Sequence, residues 1–278
     1  KLTIKNNDIK MRNKIIDCIT FFQENRHFDL RFNILKEVVD KFLVCESIYD
    51  HRGNKKEINF NYEKYKNNNQ IEHAVYKKEF PNNNDPWRNQ AIQREFILEN
   101  LDTVDQNDYI MFSDPDEIPN PKLLKDLKLE KKFGIFFQKI FSYKLNLFNP
   151  HETPWEGTRI CRKKDLKSVD WLRQKVVAKN LKYPIWRIDK EKSIQILNNG
   201  GWHFSYLLKP EEISKKFRSL AETSWDNDKF SNLETIKEKI NKKIDLFDRG
   251  HIFHKIEIDN DYPDYILKNK DELEEWII

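Results

Sequence analysis

From Ile15 to Ser113 the sequence alternates short apolar runs with amphipathic ones, and this alternation restricts the fold more than any other feature. IIDCITFF (Ile15–Phe22) is short, β-branched and aromatic, the composition of a buried strand. Asp29 can cap a helix running through Asp40, with Phe32, Leu35, Val38 and Val39 on one face. KFLVCES (Lys41–Ser47) predicts a second strand, the polar stretch His51–Asn69 a loop, and Ile71–Phe80 a third strand. Asn82–Pro86 breaks the chain. Trp87–Leu101 then reads as a helix with Ile92, Phe96 and Leu101 inward, and Tyr109–Ser113 as a fourth strand. Strand–helix–strand–strand–helix–strand is the pattern of an open α/β sheet. Such sheets bind ligands outside the carboxyl ends of their strands.

An acidic stretch stands at that edge. Ile110–Pro121 reads IMFSDPDEIPNP, placing Asp114, Asp116 and Glu117 directly after the fourth strand. Carboxylates this close raise one another's pKa unless a positive charge intervenes. Aspartates two apart in extended chain point to opposite sides. A turn through Pro115 can bring both round to one cation, and this DxD of hard oxygen ligands suits Mn²⁺ or Mg²⁺. The competing reading is a solvated turn capping the helix that Pro119 and Pro121 introduce, expected to reach Leu127.

The second half has another texture. Phe133–Leu147 is long and aromatic and reads as strand, Pro154–Cys161 as a turn and strand, and Leu166–Val176 as a helix. Ser193–Leu197 and Trp202–Leu207 read as strands around Gly200 and Gly201. Helices are expected at Pro210–Ser219 and Leu233–Asp248, and a short amphipathic helix within Tyr262–Ile278. No repeat or flexible linker interrupts the chain.

Composition narrows the function classes. Charged residues make up 35% of the chain, but the signs nearly cancel to +4, which gives little support to a nucleic-acid partner. Cys18, Cys45 and Cys161 have no metal-cluster spacing and read as buried free thiols. No run approaches the ~18 apolar residues of a membrane span and no signal peptide is visible, so the expected compartment is the cytoplasm.

The acidic segment YIMFSDPDEIP (Tyr109–Pro119) resembles the DxD segment of glycosyltransferase family 17, which includes the enzymes that add a bisecting N-acetylglucosamine to N-glycans. HFDLRFNILKEVVDKFLVCES (His27–Ser47), WRNQAIQRE (Trp87–Glu95), GGWHFSY (Gly200–Tyr206) and YPDYILKNKDEL (Tyr262–Leu273) are similar to further family segments, in the family's order. The resemblance implies an α/β fold of the GT-A type and one domain over residues 1–278. Residues 14–127 would form its nucleotide-sugar-binding half, 128–250 its acceptor-side half and 251–278 a C-terminal extension. It implies an inverting transfer to a glycan acceptor with UDP-N-acetylglucosamine as donor. The animal enzymes carry a membrane anchor not seen here, and other residues where Phe204 and Tyr206 stand.

On this reading Asp114 and Asp116 hold Mn²⁺ or Mg²⁺ against the donor diphosphate, which leaves poorly without charge compensation. Glu117 orients the loop or binds Arg94, or else serves as a helix N-terminal carboxylate. By resemblance, His203 is a further metal ligand, its flanking glycines allowing close approach to a ligand. Trp202 stacks on a sugar or fills the core. Arg94 clamps the aspartates or the diphosphate, or pairs on the surface with Glu95 or Asp102. Glu46 ends the second strand where a uridine would lie. An inverting transfer needs one carboxylate base. Glu222, in SLAETSWD, is the first candidate and Glu156, in PWEGT, the second, with Asp165 and Asp170 behind them. Rival readings are another donor, a modified nucleic-acid base as acceptor, a binding protein without turnover, and a phosphohydrolase or nucleotidyltransferase, which would need more acids.

Overall fold

The computed structural model describes residues 12–81, 85–219, 222, 224 and 226–278; the break expected at Asn82–Pro86 and the segment around Glu222 fall partly outside them. The elements in chain order are β1 (Ile15–Phe21), α1 (Asn25–Leu35), β2 (Lys41–Ser47), β3 (Ile71–Tyr76), α2 (Pro86–Glu95), β4 (Tyr109–Ser113), β5 (Glu117–Pro119) and α3 (Pro121–Lys125). There follow β6 (Phe133–Ser142), β7 (Leu147–Phe148), β8 (Trp155–Arg162), α4 (Val169–Lys175), β9 (Ile194–Leu197) and β10 (Gly201–Ser205). The chain closes with α5 (Pro210–Phe217), α6 (Asp228–Ser231), α7 (Leu233–Lys242), β11 (His254–Lys255) and α8 (Asp264–Lys268).

The strands join in one mixed sheet among the described residues, ordered β11-β7-β6-β8-β4-β1-β2-β3, with β9 and β10 also paired to β6. β3, β2, β1 and β4 run parallel. β8 then lies antiparallel between β4 and β6. The chain therefore crosses from one side of β1 to the other between β3 and β4. That places a switch point at the carboxyl ends of β1 and β4, where an open sheet binds ligand. Four parallel strands continued by antiparallel ones and flanked by helices make the mixed α/β arrangement expected of the GT-A type.

Local sequence accounts for most boundaries. Asp85 caps α2 by accepting from the Arg88 amide, Pro86 sits in its first turn, and Ser168 caps α4 through the Trp171 amide. α1 begins at Asn25, four residues before the expected cap. Glu24 accepts the amides of Phe22 and Gln23, folding the chain directly from β1 into the helix. Asp29 is a mid-helix residue that pairs with Lys64. β6 ends at Ser142, short of the expected Leu147, because Tyr143 turns into the left-handed region at φ 67°. α7 stops at Lys242 rather than Asp248 because Lys243 adopts φ 57°. The expected tail helix reduces to α8 and a 3₁₀ turn at Glu274–Trp276.

The core lies on both sheet faces. Phe28, Phe42, Phe136, Phe141, Trp202 and Tyr262 fill one side, and Cys18, Leu43, Ile110, Phe112 and Phe133 the other. All three cysteines are free and buried. Beneath the acidic turn, Arg31 of α1 is fully enclosed. Its guanidinium makes two 2.6 Å bonds to Asp17, donates to the Glu117 carbonyl at 2.6 Å and reaches Ser113 Oγ at 2.9 Å.

Candidate active site

The acidic stretch forms a tight turn. The Glu117 amide donates to the Asp114 carbonyl at 3.0 Å, and the Glu117 carboxylate reaches back to the Asp114 amide at 3.3 Å. β5 then pairs antiparallel with β10, setting Glu117 opposite His203 and Ile118 opposite Trp202. The Phe204 amide donates to the Asp116 carbonyl at 2.9 Å, so the turn is fastened to GGWHFSY by backbone bonds. This pairing explains the two glycines. A Cβ on Gly201, at φ +128°, would meet the Ile118 carbonyl at 2.2 Å, and one on Gly200 would meet Phe137 N at 2.6 Å. They admit neighbouring strands, where the sequence had suggested room for a ligand.

The turn lines a cleft of about 520 Å³ at the carboxyl ends of β1 and β4, shared with Phe22, Trp155, His203, Tyr206, Lys216 and Arg249. Asp114 and Asp116 both face it but keep different company. Asp114 Oδ2 accepts from Arg173 Nη2 at 2.7 Å, and its Oδ1 lies 3.8 Å from Arg94. Burial works to raise the Asp114 pKa, but Arg173 and then Arg94 override it and hold the carboxyl below its ordinary value. Asp116 Oδ2 lies 3.4 Å from His203 Nε2. Burial again works to raise its pKa, and the charge and hydrogen bond of His203 reverse this, holding Asp116 far below the usual carboxylate range. The His203 imidazole is pushed upward in turn, against burial, chiefly by Asp116. Glu117 is closed off, since both its oxygens accept from Arg173 and Oε1 also takes the Trp155 indole N–H at 2.7 Å.

The three crowded carboxylates are therefore balanced by the protein before any ion is added: Arg173, Arg94 and His203 face them. For a divalent cation the fit is narrower than the sequence suggested. Among the described residues no group of three His, Cys, Asp or Glu side chains could hold a metal. Asp116 and His203 do stand side by side, and His203 Nδ1 has no partner among the described residues. One carboxylate and one imidazole suit an ion that completes its shell with substrate phosphates and water.

The remaining sequence candidates fall in different places. Arg94 lines the cleft and bonds Asp170 Oδ1 at 2.8 Å, so it is no surface pair with Glu95 or Asp102. Glu46 is fully buried and does not reach the cleft. Lys56 Nζ and the amides of Asn59 and Phe60 bond its carboxylate at 2.6, 2.7 and 3.0 Å, which fixes the loop against β2. Trp202 points away from His203 into the core. A second cleft of about 730 Å³ opens on that side, lined by Trp202, lysines and amides, and it lacks the acidic turn. Glu222 is not brought to the active-site cleft; its Oε1 accepts the Ser224 amide. Glu156 accepts the Ala178 amide behind β8, and Asp165 sits in a 3₁₀ turn, Lys163–Asp165. Neither lines the cleft.

Sequence reasoning missed Arg173, Lys216 and the Glu152–Arg249–Asp245 group. Arg173 follows Asp170 by one helical turn, the only signal it carries. Lys216 Nζ lies 3.2 Å from Glu24 Oε1, and despite burial its pKa is raised by Glu24 and Asp116. Arg249 pairs with Glu152 at 2.8 Å and with Asp245 at 2.7 Å.

A family model described as Glycosyltransferase family 17 matches residues 4–148. No curated protein matches the chain. Among solved structures the chain is similar to glucosyl-3-phosphoglycerate synthase from Mycobacterium tuberculosis in complex with Mn²⁺, UDP and phosphoglyceric acid, at 10% identity over 92% of this chain and 91% of that one, with a TM-score of 0.38. The same enzyme with Mn²⁺, UDP and glucosyl-3-phosphoglycerate gives 12% identity, 92% of each chain and a TM-score of 0.38. A 4-diphosphocytidyl-2C-methyl-D-erythritol synthase gives 14% identity over 55% of this chain and 77% of that one, with a TM-score of 0.32. Likenesses this distant decide neither donor nor acceptor.

Proposed function

The chain belongs to glycosyltransferase family 17 and is a glycosyltransferase, and on that premise we propose that it moves N-acetylglucosamine from UDP-N-acetylglucosamine to a hydroxyl of a glycan, with inversion. One observation carries the reading: the acidic turn shares a cleft at the sheet's switch point with four cationic side chains, Arg94, Arg173, Lys216 and Arg249. A nucleoside diphosphate sugar needs such an arrangement, with cations for the diphosphate and carboxylates for hydroxyls or an ion.

Asp116 and His203 are the residues that would hold Mn²⁺ or Mg²⁺, and the ion would supply positive charge to the departing diphosphate. Arg173 and Lys216 add fixed positive charge on the same side. Asp114, held ionised by Arg173 and Arg94, offers an acceptor to donor hydroxyls. Trp155, whose ring centroid lies 5.2 Å from that of His203, presents an aromatic wall to the sugar. The Glu152–Arg249–Asp245 group and Tyr206 face the same cleft from the second half of the chain and form the acceptor side.

The test is calorimetric binding of UDP-N-acetylglucosamine, UDP-glucose and UDP, each with Mn²⁺ and with chelator. Binding that needs the metal and favours the N-acetylglucosamine donor is expected. Metal-dependent binding without that preference would remove the donor assignment. No binding of any of the three would overturn the nucleotide-sugar reading.

A further inference from the structure

The most exposed apolar surface of the molecule lies outside both clefts. After α4 the chain passes through a 3₁₀ turn, Ala178–Lys182, and then through YPIWRIDKEK before it reaches β9. Every residue from 181 to 189 is exposed. Among the described residues the three most exposed large apolar side chains all stand here: Ile188 at 95%, Ile185 at 86% and Trp186 at 75%. Leu181 and Tyr183 are exposed beside them. Single exposed apolar residues are ordinary on a protein surface, but a cluster that the fold leaves uncovered marks a surface that meets something else.

The segment is a built protrusion. The Tyr183 amide donates to the Asn180 carbonyl at 3.2 Å, the Arg187 amide to the Pro184 carbonyl at 3.1 Å and the Lys190 amide to the Arg187 carbonyl at 3.1 Å. Lys192 Nζ donates to the Tyr183 carbonyl at 3.0 Å, and Arg187 and Lys190 lie over the Tyr183 ring at 5.2 and 5.5 Å. These contacts hold the base of the loop while Ile185, Trp186 and Ile188 stay in water.

Its charge is as unusual as its apolarity. Residues 175–192 contain six Lys or Arg and two acids, a net +4, which equals the net charge of the whole chain. The rest of the protein is therefore neutral on balance. Asp189 is taken up by Arg187 and Lys190. Lys175, Lys179 and Lys182 are exposed and form no ion pair among the described residues.

We propose that this protrusion docks the protein on an anionic lipid surface. Trp186 and the two isoleucines enter the boundary between headgroups and acyl chains, where tryptophan is favoured, and the flanking lysines meet acidic headgroups. The charge selects this occupant. A second copy would bring the same positive patch against itself, whereas an acidic membrane answers the apolar and the cationic parts together. No residue from 175 to 192 lines either cleft, so docking stands apart from donor binding and does not rest on the transferase reading.

The experiment is flotation of the protein with vesicles of phosphatidylcholine alone and of phosphatidylcholine with about 30% phosphatidylserine, at ~0.1 M salt. Binding to the anionic vesicles is expected to be at least about tenfold tighter than to the neutral ones, and to weaken at least about tenfold at ~0.5 M salt. Ile185→Ser, Trp186→Ser and Ile188→Ser together should remove binding with the thermal midpoint unchanged, because all three side chains are exposed. Lys175→Gln, Lys179→Gln and Lys182→Gln together should erase most of the preference for anionic vesicles. Failure of the unaltered protein to float with the anionic vesicles would overturn the proposal. Undiminished flotation of the triple serine variant would do the same, since general charge attraction would then suffice. A dimer in sedimentation that this variant splits, without vesicle binding, would give the patch to a second copy instead.

Discussion

Two arginines grip the acidic turn from opposite sides, and they differ in what they leave open. Arg31 lies below it in a closed network, its side chain 0% exposed and that of Asp17 1% exposed. Arg173 lies above it with Arg94, facing a cleft that a ligand can enter. The chemistry is the same, guanidinium on carboxylate. Below, every charge is matched within the protein, and the result is a rigid floor. Above, Arg94, Arg173, Lys216 and Arg249 are also paired, but their pairs border a cleft open to a ligand. Burial with complete pairing fixes structure, whereas burial with a solvent-facing side stores binding capacity.

The comparison can be broken in four places. Asp116→Ala removes the open side's central acid. Turnover of a UDP-sugar should fall at least ~10⁴-fold, about 5 kcal/mol, with loss of Mn²⁺-dependent UDP binding and little change in thermal midpoint. Activity within tenfold of the unaltered protein would show that the acid is not central. Arg31→Met attacks the closed side and leaves Asp17 charged and unpaired. Urea unfolding should report a loss of about 3–5 kcal/mol; a loss below ~1 kcal/mol would mean that the floor is not closed after all.

Glu24 and Lys216 sit between the two regimes, and pH separates them. Burial works to raise the Glu24 pKa, but Lys216 and the bonding amides override it, so the folded value lies below the unfolded one. A depressed carboxylate stabilises the fold above its unfolded pKa and loses that contribution as pH falls through the folded value. The stability gap between the unaltered protein and Glu24→Gln should be about 2 kcal/mol at neutral pH and close below about pH 4. A gap that widens in acid would reverse the assignment. Arg173→Gln has the smallest expected effect, about tenfold weaker UDP binding, or 1.4 kcal/mol, because Arg94 and Lys216 remain. An unchanged affinity would assign Arg173 to the floor rather than the cleft.

The parallel half was legible because its signals are local. Apolar runs such as KFLVCES and YIMFS must be buried strands whatever surrounds them, and the polar acids after YIMFS must lie at the strand's end. The four parallel strands and the turn at Asp114–Glu117 follow from that alone. Errors came where side chains outside the element decide its limits. Glu24 moved the start of α1 by capturing two amides, and Tyr143 ended β6 by adopting a positive φ.

The site divides along the same line. The sequence by itself determined that Asp114, Asp116 and Glu117 would crowd at a sheet edge, and motif order marked His203 as their companion. Only the tertiary structure decided who neutralises whom. Arg173 is one of 50 cations in the chain, and nothing in its neighbours distinguishes it until α4 packs beside β4. Glu46 reads as a strand-end acid until its loop folds back and bonds both carboxylate oxygens. Glu222, Glu156 and Asp170 are equivalent carboxylates in one dimension. They become different because electrostatic partners are set by distances of a few ångströms in space, which spacing along a chain does not encode once strands from both halves meet.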